Sequence, residues 1–306
     1  MATTETVSSN YAGDVARQYF SGVLLSPTTI ANGGVTPLSG IRYKRNLPKV
    51  DLSDIIHDST CDFTADGTIT RSERVLTVEE FEVNLKLCKS TYRPTFDNMA
   101  ASAHAGLAPD FASYLTMLVG SNIAANRENT IWQGAAATDG EFDGFETLYT
   151  NVATQPAGYE IAGTTLSAAN IVAQLRLVVD AASSALYSKD GFAIRISTAA
   201  WKFYVQAMST LGYMDRFNAN PQVPLNFEGV PLIHCAGLSD DVMFATYDGN
   251  LFYGFGEAGD EMRVDVIDQS PLDGSNNVHV VAKWADGIQV ANPEDVITYG
   301  ITNAGN

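Results

Sequence analysis

Several residue groups in this 306-residue chain have types and spacings that could do chemistry. Gly254-Phe-Gly256-Glu-Ala-Gly259 matches the GxGxxG pattern and follows a strand-like run. A phosphate-binding turn of that kind needs a helix N-terminus directly after it, so that free backbone N–H groups meet the pyrophosphate. Here Asp260-Glu-Met-Arg-Val-Asp-Val follows, the acidic start of a strand, and dinucleotide binding is not expected. Asp139, Glu141, Asp143 and Gly144 imitate the opening of a calcium loop, but its twelfth position, which calls for a bidentate Glu, is Thr150. A solvated turn is the expectation there. The carboxylate pairs Asp240/Asp241 and Asp260/Glu261 fall at turns between strands, and that placement alone gives no support to acid–base catalysis.

The four histidines, His57, His104, His234 and His279, fall in four different elements with no helical or strand pairing between them. A strand histidine such as His234 or His279 is expected to be a surface or satisfied core residue rather than a ligand. The three cysteines, Cys61, Cys88 and Cys235, form no CxxC pair, which argues against a disulfide framework and a structural zinc site. All three are read as reduced, with Cys235 a small core residue. No GxSxG, HExxH or Walker sequence occurs. No catalytic, cofactor-binding or metal-binding residue is nominated.

Composition narrows the class. With 45% hydrophobic and 17% charged residues, 25 Gly and 11 Pro, the chain is globular rather than disordered, collagenous or coiled-coil. Its formal charge of −17 excludes a basic nucleic-acid-binding protein and repels polyanions. The charge is uneven: residues 1–100 carry a net −2 and residues 101–306 a net −15. No segment approaches the roughly 18 apolar residues of a membrane span. Residues 1–10 lack a secretion signal, and folding in a cytoplasm is expected.

The elements that would position such residues can be read from periodicity. Tyr11, Val15, Tyr19 and Val23 recur at helical spacing in a leading stretch too weakly apolar to form its own core. Phe81, Val83, Leu85 and Leu87 alternate with polar residues, a strand of period two. Cys61-Asp-Phe-Thr and Thr68-Ile-Thr flank Asp66-Gly67, a hairpin signal, and a lone hairpin needs another surface. Pro109 opens a long helix to about 132, with Phe111, Leu115, Leu118, Asn122, Ala125 and Trp132 expected on one face. A helix capped by Ser167 carries Ile171, Leu175, Val178, Val179, Ala182 and Leu186. A strand at Phe192–Ile196 precedes a helix capped by Ser197, with Trp201, Tyr204, Met208 and Leu211 on its apolar face. Strands are expected at Val230–His234, Val242–Thr246, Leu251–Tyr253 and Met262–Ile267, with Asp248-Gly249 joining the second and third. Val278–Trp284 and Ile288–Ala291 are expected on either side of an Asp286-Gly287 turn, with Val296–Ile301 last.

This order resembles the major capsid proteins of tailed bacteriophages, which have the Hong Kong 97-like fold. Cys61-Asp-Phe-Thr-Ala-Asp-Gly-Thr-Ile-Thr-Arg-Ser-Glu-Arg-Val-Leu-Thr, followed by Phe81-Glu-Val-Asn-Leu-Lys-Leu-Cys-Lys, is similar to the hairpin region of one group of them. The helix from about 110 to 132 falls where the family has its spine helix. Phe192-Ala-Ile-Arg-Ile-Ser-Thr-Ala-Ala-Trp resembles the axial domain, and Met262–Asp268 with Val278–Ile301 resembles the strands returning to the peripheral domain. The resemblance implies an α+β fold divided into an N-terminal arm (1–40), an extended hairpin loop (41–92), a peripheral domain with the spine helix (93–150), an axial domain (151–261) and returning strands (262–306).

The function so implied is a non-enzymatic major capsid protein that self-assembles into the icosahedral shell enclosing a phage genome. It would sit in the virion capsid and be assembled in a host cytoplasm. Its partners would be itself, as hexamers and pentamers, with portal and decoration proteins and packaged double-stranded DNA touched only non-specifically. No cofactor and no membrane are implied. The chain opens almost directly on the arm, without the long scaffolding segment that some members carry, so a separate scaffold protein is expected. No Lys–Asn cross-linking context is reproduced. An arm and a hairpin unable to bury themselves suit lateral contacts between shell subunits. Phe63, Ile69, Arg71, Glu73 and Arg74 are the inter-subunit contact candidates, the three charged ones expected near the hairpin's far end. The alternatives are an encapsulin-like compartment shell and, from another class, an acidic α+β hydrolase or glycan-binding module.

Overall fold

The computed structural model describes residues 27–59, 61, 67–89, 109–151, 155–156, 158–210, 225–256 and 264–302. In chain order the strands are β1 (Thr36–Leu38), β2 (Lys44–Ser53), β3 (Thr68–Thr77), β4 (Glu79–Cys88), β5 (Glu160–Ile161), β6 (Ala193–Ile196) and β7 (Asn226–Phe227). They continue with β8 (Val230–His234), β9 (Met243–Thr246), β10 (Leu251–Phe255), β11 (Val264–Asp268), β12 (Asn277–Val290) and β13 (Ile297–Tyr299). The helices are α1 (Pro109–Gln133), α2 (Phe145–Asn151), α3 (Ile171–Ala181), α4 (Ser184–Tyr187), α5 (Thr198–Thr210) and α6 (Ser270–Asp273).

These elements make two sheets and a separate two-stranded ribbon. One sheet runs β1-β10-β12-β11, with β4 antiparallel to β12 over its length. The other runs β5-β13-β9-β6-β8-β7 and carries α3 and α5. The ribbon is β2 with β3. In the second sheet β6 and β9 are buried at every position, and Ile171, Leu175 and Val178 of α3 meet Ala200, Tyr204 and Ala207 of α5 over them. Fully burying each large apolar side chain contributes about 1.5–3 kcal/mol, so this cluster holds the α/β body together. Ser197 accepts the N–H of Ala200 on its hydroxyl and caps α5 as the sequence suggests.

The first sheet is closed by the long helix. Leu115, Val119 and Ile123 of α1 bury against Val280 and Ala282 of β12 and the apolar side of β4 (Val83, Leu85, Leu87). The strand periodicity read at 81–88 is therefore present. The buried face of α1 is displaced by about one residue from the expected one: Leu115, Val119, Ile123, Ile131 and Trp132 are buried, Asn122 is exposed and Leu118 is half-buried. At 25 residues α1 spans roughly 37 Å.

Several expectations are corrected. Thr68–Thr77 pairs along its full length with Lys44–Ser53, so its observed partner is not the one expected across Asp66-Gly67; residues 62–66 lie outside the described residues. Residues 79–88 do not project with the hairpin, because β12 pairs with them along their full length and α1 covers their apolar side. Residues 27–38, the end of the expected arm, lie on their own chain, where β1 adds in parallel to β10. Asp286-Gly287 is no turn: β12 runs through it, with Gly287 opposite Gly254. Asp248-Gly249 does turn, Gly249 taking φ +81°, but β9 and β10 then enter different sheets. Likewise β10 belongs to the sheet of β4 and β12 rather than to the α/β body, and β13 belongs to the α/β body rather than to the returning set.

Asp286 is in strand because its carboxylate is used. Buried to 1%, it accepts from Arg127 Nε at 2.8 Å and from the Tyr253 hydroxyl at 2.6 Å. Burial holds this carboxyl above its ordinary range, against the opposing pull of Arg127. Gly287 and Gly254 face each other where the ribbon leaves the body. A methyl group at Gly287 would collide with the carbonyl of Thr77, so that position takes no side chain in this arrangement, whereas one at Gly254 would press on the methyl ends of Leu76 and Ile41, which would have to shift.

Candidate functional site

Antiparallel partners share a sheet face, so the register of β2 and β3 sorts the ribbon's side chains. One face carries Asn46 with Val75, Pro48 with Glu73, Val50 with Arg71, and Leu52 with Ile69. Among the described residues nothing covers it: Val50 is 54% exposed, Leu52 57% and Ile69 68%. The outer loop adds Ile56 at 92%, next to Asp54, whose left-handed φ of 54° bends the chain away from β2. Four or more large apolar side chains standing in water on one ribbon mark a contact surface, since scattered single exposures are ordinary and a contiguous group is not.

The opposite face is occupied near its base. Leu76 is wholly buried beneath the ribbon, in a cluster with Ile41 and Val78. Arg74 donates from Nε and Nη2 to Gln289 Oε1 at 3.3 and 3.1 Å, and Gln289 Nε2 donates to the carbonyl of Val75 at 2.8 Å. Lys49 Nζ lies 3.1 Å from Glu294 and 3.0 Å from Asp51.

The sequence-derived candidates separate on this geometry. Ile69 and Arg71 lie on the bare face toward the outer end. Glu73 shares that face nearer the middle, where it accepts from Asn46 Nδ2 at 3.1 Å. Arg74 is not at the far end: it sits near the base on the other face and is engaged by Gln289 of its own chain. Phe63 lies outside the described residues. The sequence reading missed Val50, Leu52, Ile55 and Ile56, although the Val50-Asp-Leu52 alternation was a usable signal.

A second open surface, lined by polar residues such as Glu82, Asn122 and Asp139 as well as apolar ones, lies on the body. A trough of about 730 Å³ runs between β4 and α1, floored by Phe81, Val83, Leu118, Val119 and Trp284, with Glu80 among its lining residues.

Where the described chain begins, a junction ties it to the body. Glu128 of α1, 1% exposed, accepts from the Thr29 N–H at 3.1 Å, the Thr29 hydroxyl at 2.6 Å, and the N–H groups of Ala236 and Gly237 at 3.1 and 3.2 Å. The Thr29 hydroxyl in turn receives Trp132 Nε1 at 2.7 Å. Arg195, also buried, donates to the carbonyls of Gly34, Ala193 and Thr246, and burial pulls its guanidinium below its ordinary value. Cys235 packs beside it, its thiol pushed up to about 12 by burial, which disfavours the thiolate. These residues do structural work that the sequence alone did not disclose.

His234 Nε2 is 2.9 Å from the Thr198 hydroxyl with its ring against Trp201, and burial lowers its pKa against the opposing charge of Glu128. His279 Nδ1 faces Gln269, His57 lies in the ribbon's outer loop, and His104 is outside the described residues. Glu141 and Asp143 accept the backbone N–H groups of Ala135 and Ala136 after α1. Asp241 accepts from Leu166 N–H. Residues 257–263 are not described; the strand β11 follows them. Among the described residues no three His, Cys, Asp or Glu side chains converge as a metal site, and no helix is long and apolar enough to cross a membrane.

No protein-family model matches the sequence, and no curated protein does. Solved structures do match. A chain from the capsid of a native GTA particle superposes with a TM-score of 0.60 at 14% identity, covering 96% of this chain and 95% of that one. A chain from Mycobacterium phage Ogopogo gives 0.58 at 10% identity, covering 92% and 94%. One from Mycobacterium phage Adephagia gives 0.56 at 13%, covering 96% and 94%. The chain therefore has, nearly end to end, the α+β fold of phage capsid proteins.

Proposed function

We propose that this chain is a major capsid protein, self-assembling into an icosahedral shell that encloses a phage genome. The observation that carries the reading is the ribbon's bare apolar face, on a fold shared over nearly its full length with a GTA capsid chain. A hairpin exposing Val50, Leu52 and Ile69 and a trough floored by Phe81 and Trp284 are unlike surfaces on one chain. Head-to-tail contact between unlike surfaces generates closed rings, the building unit a shell needs. In this reading the residues before 27 serve as an arm, β2 and β3 as the extended loop, α1 as the spine, and the sheet bearing α3 and α5 as the axial domain. Ile69, Arg71 and Glu73 make the neighbour contacts. The role is structural, without catalysis or cofactor. Hexamers and pentamers are the expected intermediates, with a separate scaffold, a portal and decoration proteins as further partners. The net charge of −17 keeps packaged DNA from adhering to the wall.

Expression of the full chain with its scaffold, followed by sedimentation and electron microscopy, tests the reading. Closed particles built from this chain are expected. A chain that stays monomeric at high concentration with scaffold present overturns the proposal.

A further inference from the structure

The ribbon is anchored at its base by backbone bonds from Gly40 and Ile41 to the carbonyls of Gly256 and Phe255 and by the apolar cluster of Leu76, Ile41 and Val78. Two further kinds of contact lie along its inner half. One is steric: Leu76 and Thr77 rest on the side-chain-free spot made by Gly254 and Gly287, which face each other across β10 and β12. A backbone bond from Val78 N–H to the Tyr43 carbonyl closes the ribbon there. The other is polar and lies further out: Gln289 grips both Arg74 and the Val75 carbonyl, and Glu294 holds Lys49. From Val50 outward both faces are exposed.

A rigid ribbon with a steric rest at one end and a polar tie part-way along has its inclination fixed by those two points. We propose that Gly254 and Gly287 form the seat, and Gln289 and Glu294 the tie, that set the angle at which the hairpin leaves the body. They are positioning residues: none lies on the bare face, yet together they decide where that face is presented. The steric seat is insensitive to salt. The Lys49–Glu294 tie joins side chains 27% and 58% exposed and is therefore screened by ions. The angle is thus held firmly at the base and adjustably further out. Its consequence for a neighbour rests on the shell reading; the seat and tie themselves do not, and are testable on a single chain.

The test measures spin-label distances in dilute solution on the full-length chain with Cys88→Ser. One label sits at Cys61, exposed in the outer loop, the other at Leu177→Cys, an exposed position on α3. In low salt the parent should give one narrow distance. Glu294→Lys, which sets two cations together, should broaden it and raise a displaced population roughly two- to fivefold. Lys49→Glu/Glu294→Lys should restore the narrow distance, and high salt should broaden the parent. Gly287→Ala should instead shift the mean, because the seat is raised. Unfolding midpoints of the two charge variants should stay at the parent value, since these side chains are surface-exposed. Distances unchanged in Glu294→Lys, or no restoration in the double variant, overturn the assignment.

Discussion

β3 and β4 are consecutive strands, each ten residues long, separated by Val78 alone; β4 alternates Phe81, Val83, Leu85 and Leu87 with polar residues, whereas β3 carries only Ile69, Val75 and Leu76 as large apolar side chains. Their fates differ. β4 is covered by α1 on its apolar side and paired with β12 along its edge, whereas β3 leaves the body after Leu76 and exposes Ile69 to water. The difference follows the pattern: four alternating apolar residues give β4 a side that α1 buries, whereas the apolar residues of β3 are split over two faces, Ile69 and Val75 on one and Leu76 on the other. What covers each face depends on chain entry, and here entry is decided by the side-chain-free rest at Gly254 and Gly287 and by whether a helix returns overhead.

That contrast can be broken at graded cost. The largest effect is expected from Val280→Asp, which puts a carboxylate opposite Leu85 beneath α1. Urea unfolding should show a loss above about 4 kcal/mol, or no folded protein. Glu128→Ala comes next. It leaves the N–H groups of Thr29 and Gly237 without their acceptor, while Ala236 N–H keeps the Thr28 hydroxyl at 2.8 Å, and should cost about 2–4 kcal/mol, with residues 28–34 losing hydrogen-exchange protection. Gly287→Ala should cost about 1–3 kcal/mol by overpacking against Thr77, read as a lowered urea midpoint. Ile69→Asp should change stability by no more than about 0.5 kcal/mol, because the side chain is 68% exposed, yet it should abolish large particles in sedimentation. If Ile69→Asp unfolds the chain, the two strands are not different in kind and the contact reading fails.

Much of the secondary structure was legible in the sequence because periodicity and caps are local. β8 stands at Val230–His234 as expected, and β6, α1 and α5 fall within a residue or two. Pairing was not legible. Asp-Gly reads as a turn wherever it occurs, and nothing local distinguishes Asp248-Gly249, which turns, from Asp286-Gly287, which is a buried ion acceptor followed by a seat. The same limit misplaced the partner of β3, since the correct strand lies beyond the outer loop. Of the contact candidates, Ile69 was visible as an apolar position in an apparently unsupported hairpin. Arg74 was misjudged because an arginine's role depends on which face of the ribbon it occupies, and that parity follows only from the register with β2. Glu128 and Arg195 carry no motif; their importance arises from three segments distant in sequence meeting at one point.

The two facing glycines also carry a consequence for variation. A surface such as the bare ribbon face can drift residue by residue, each substitution compensated by a neighbouring copy that drifts with it. Position 287 has no such freedom, because the smallest possible gain, one methyl, already meets the polypeptide passing above, and at 254 the same gain needs Leu76 and Ile41 to give way. Lineages descending from this molecule should therefore diversify the projecting tip while its mounting stays frozen.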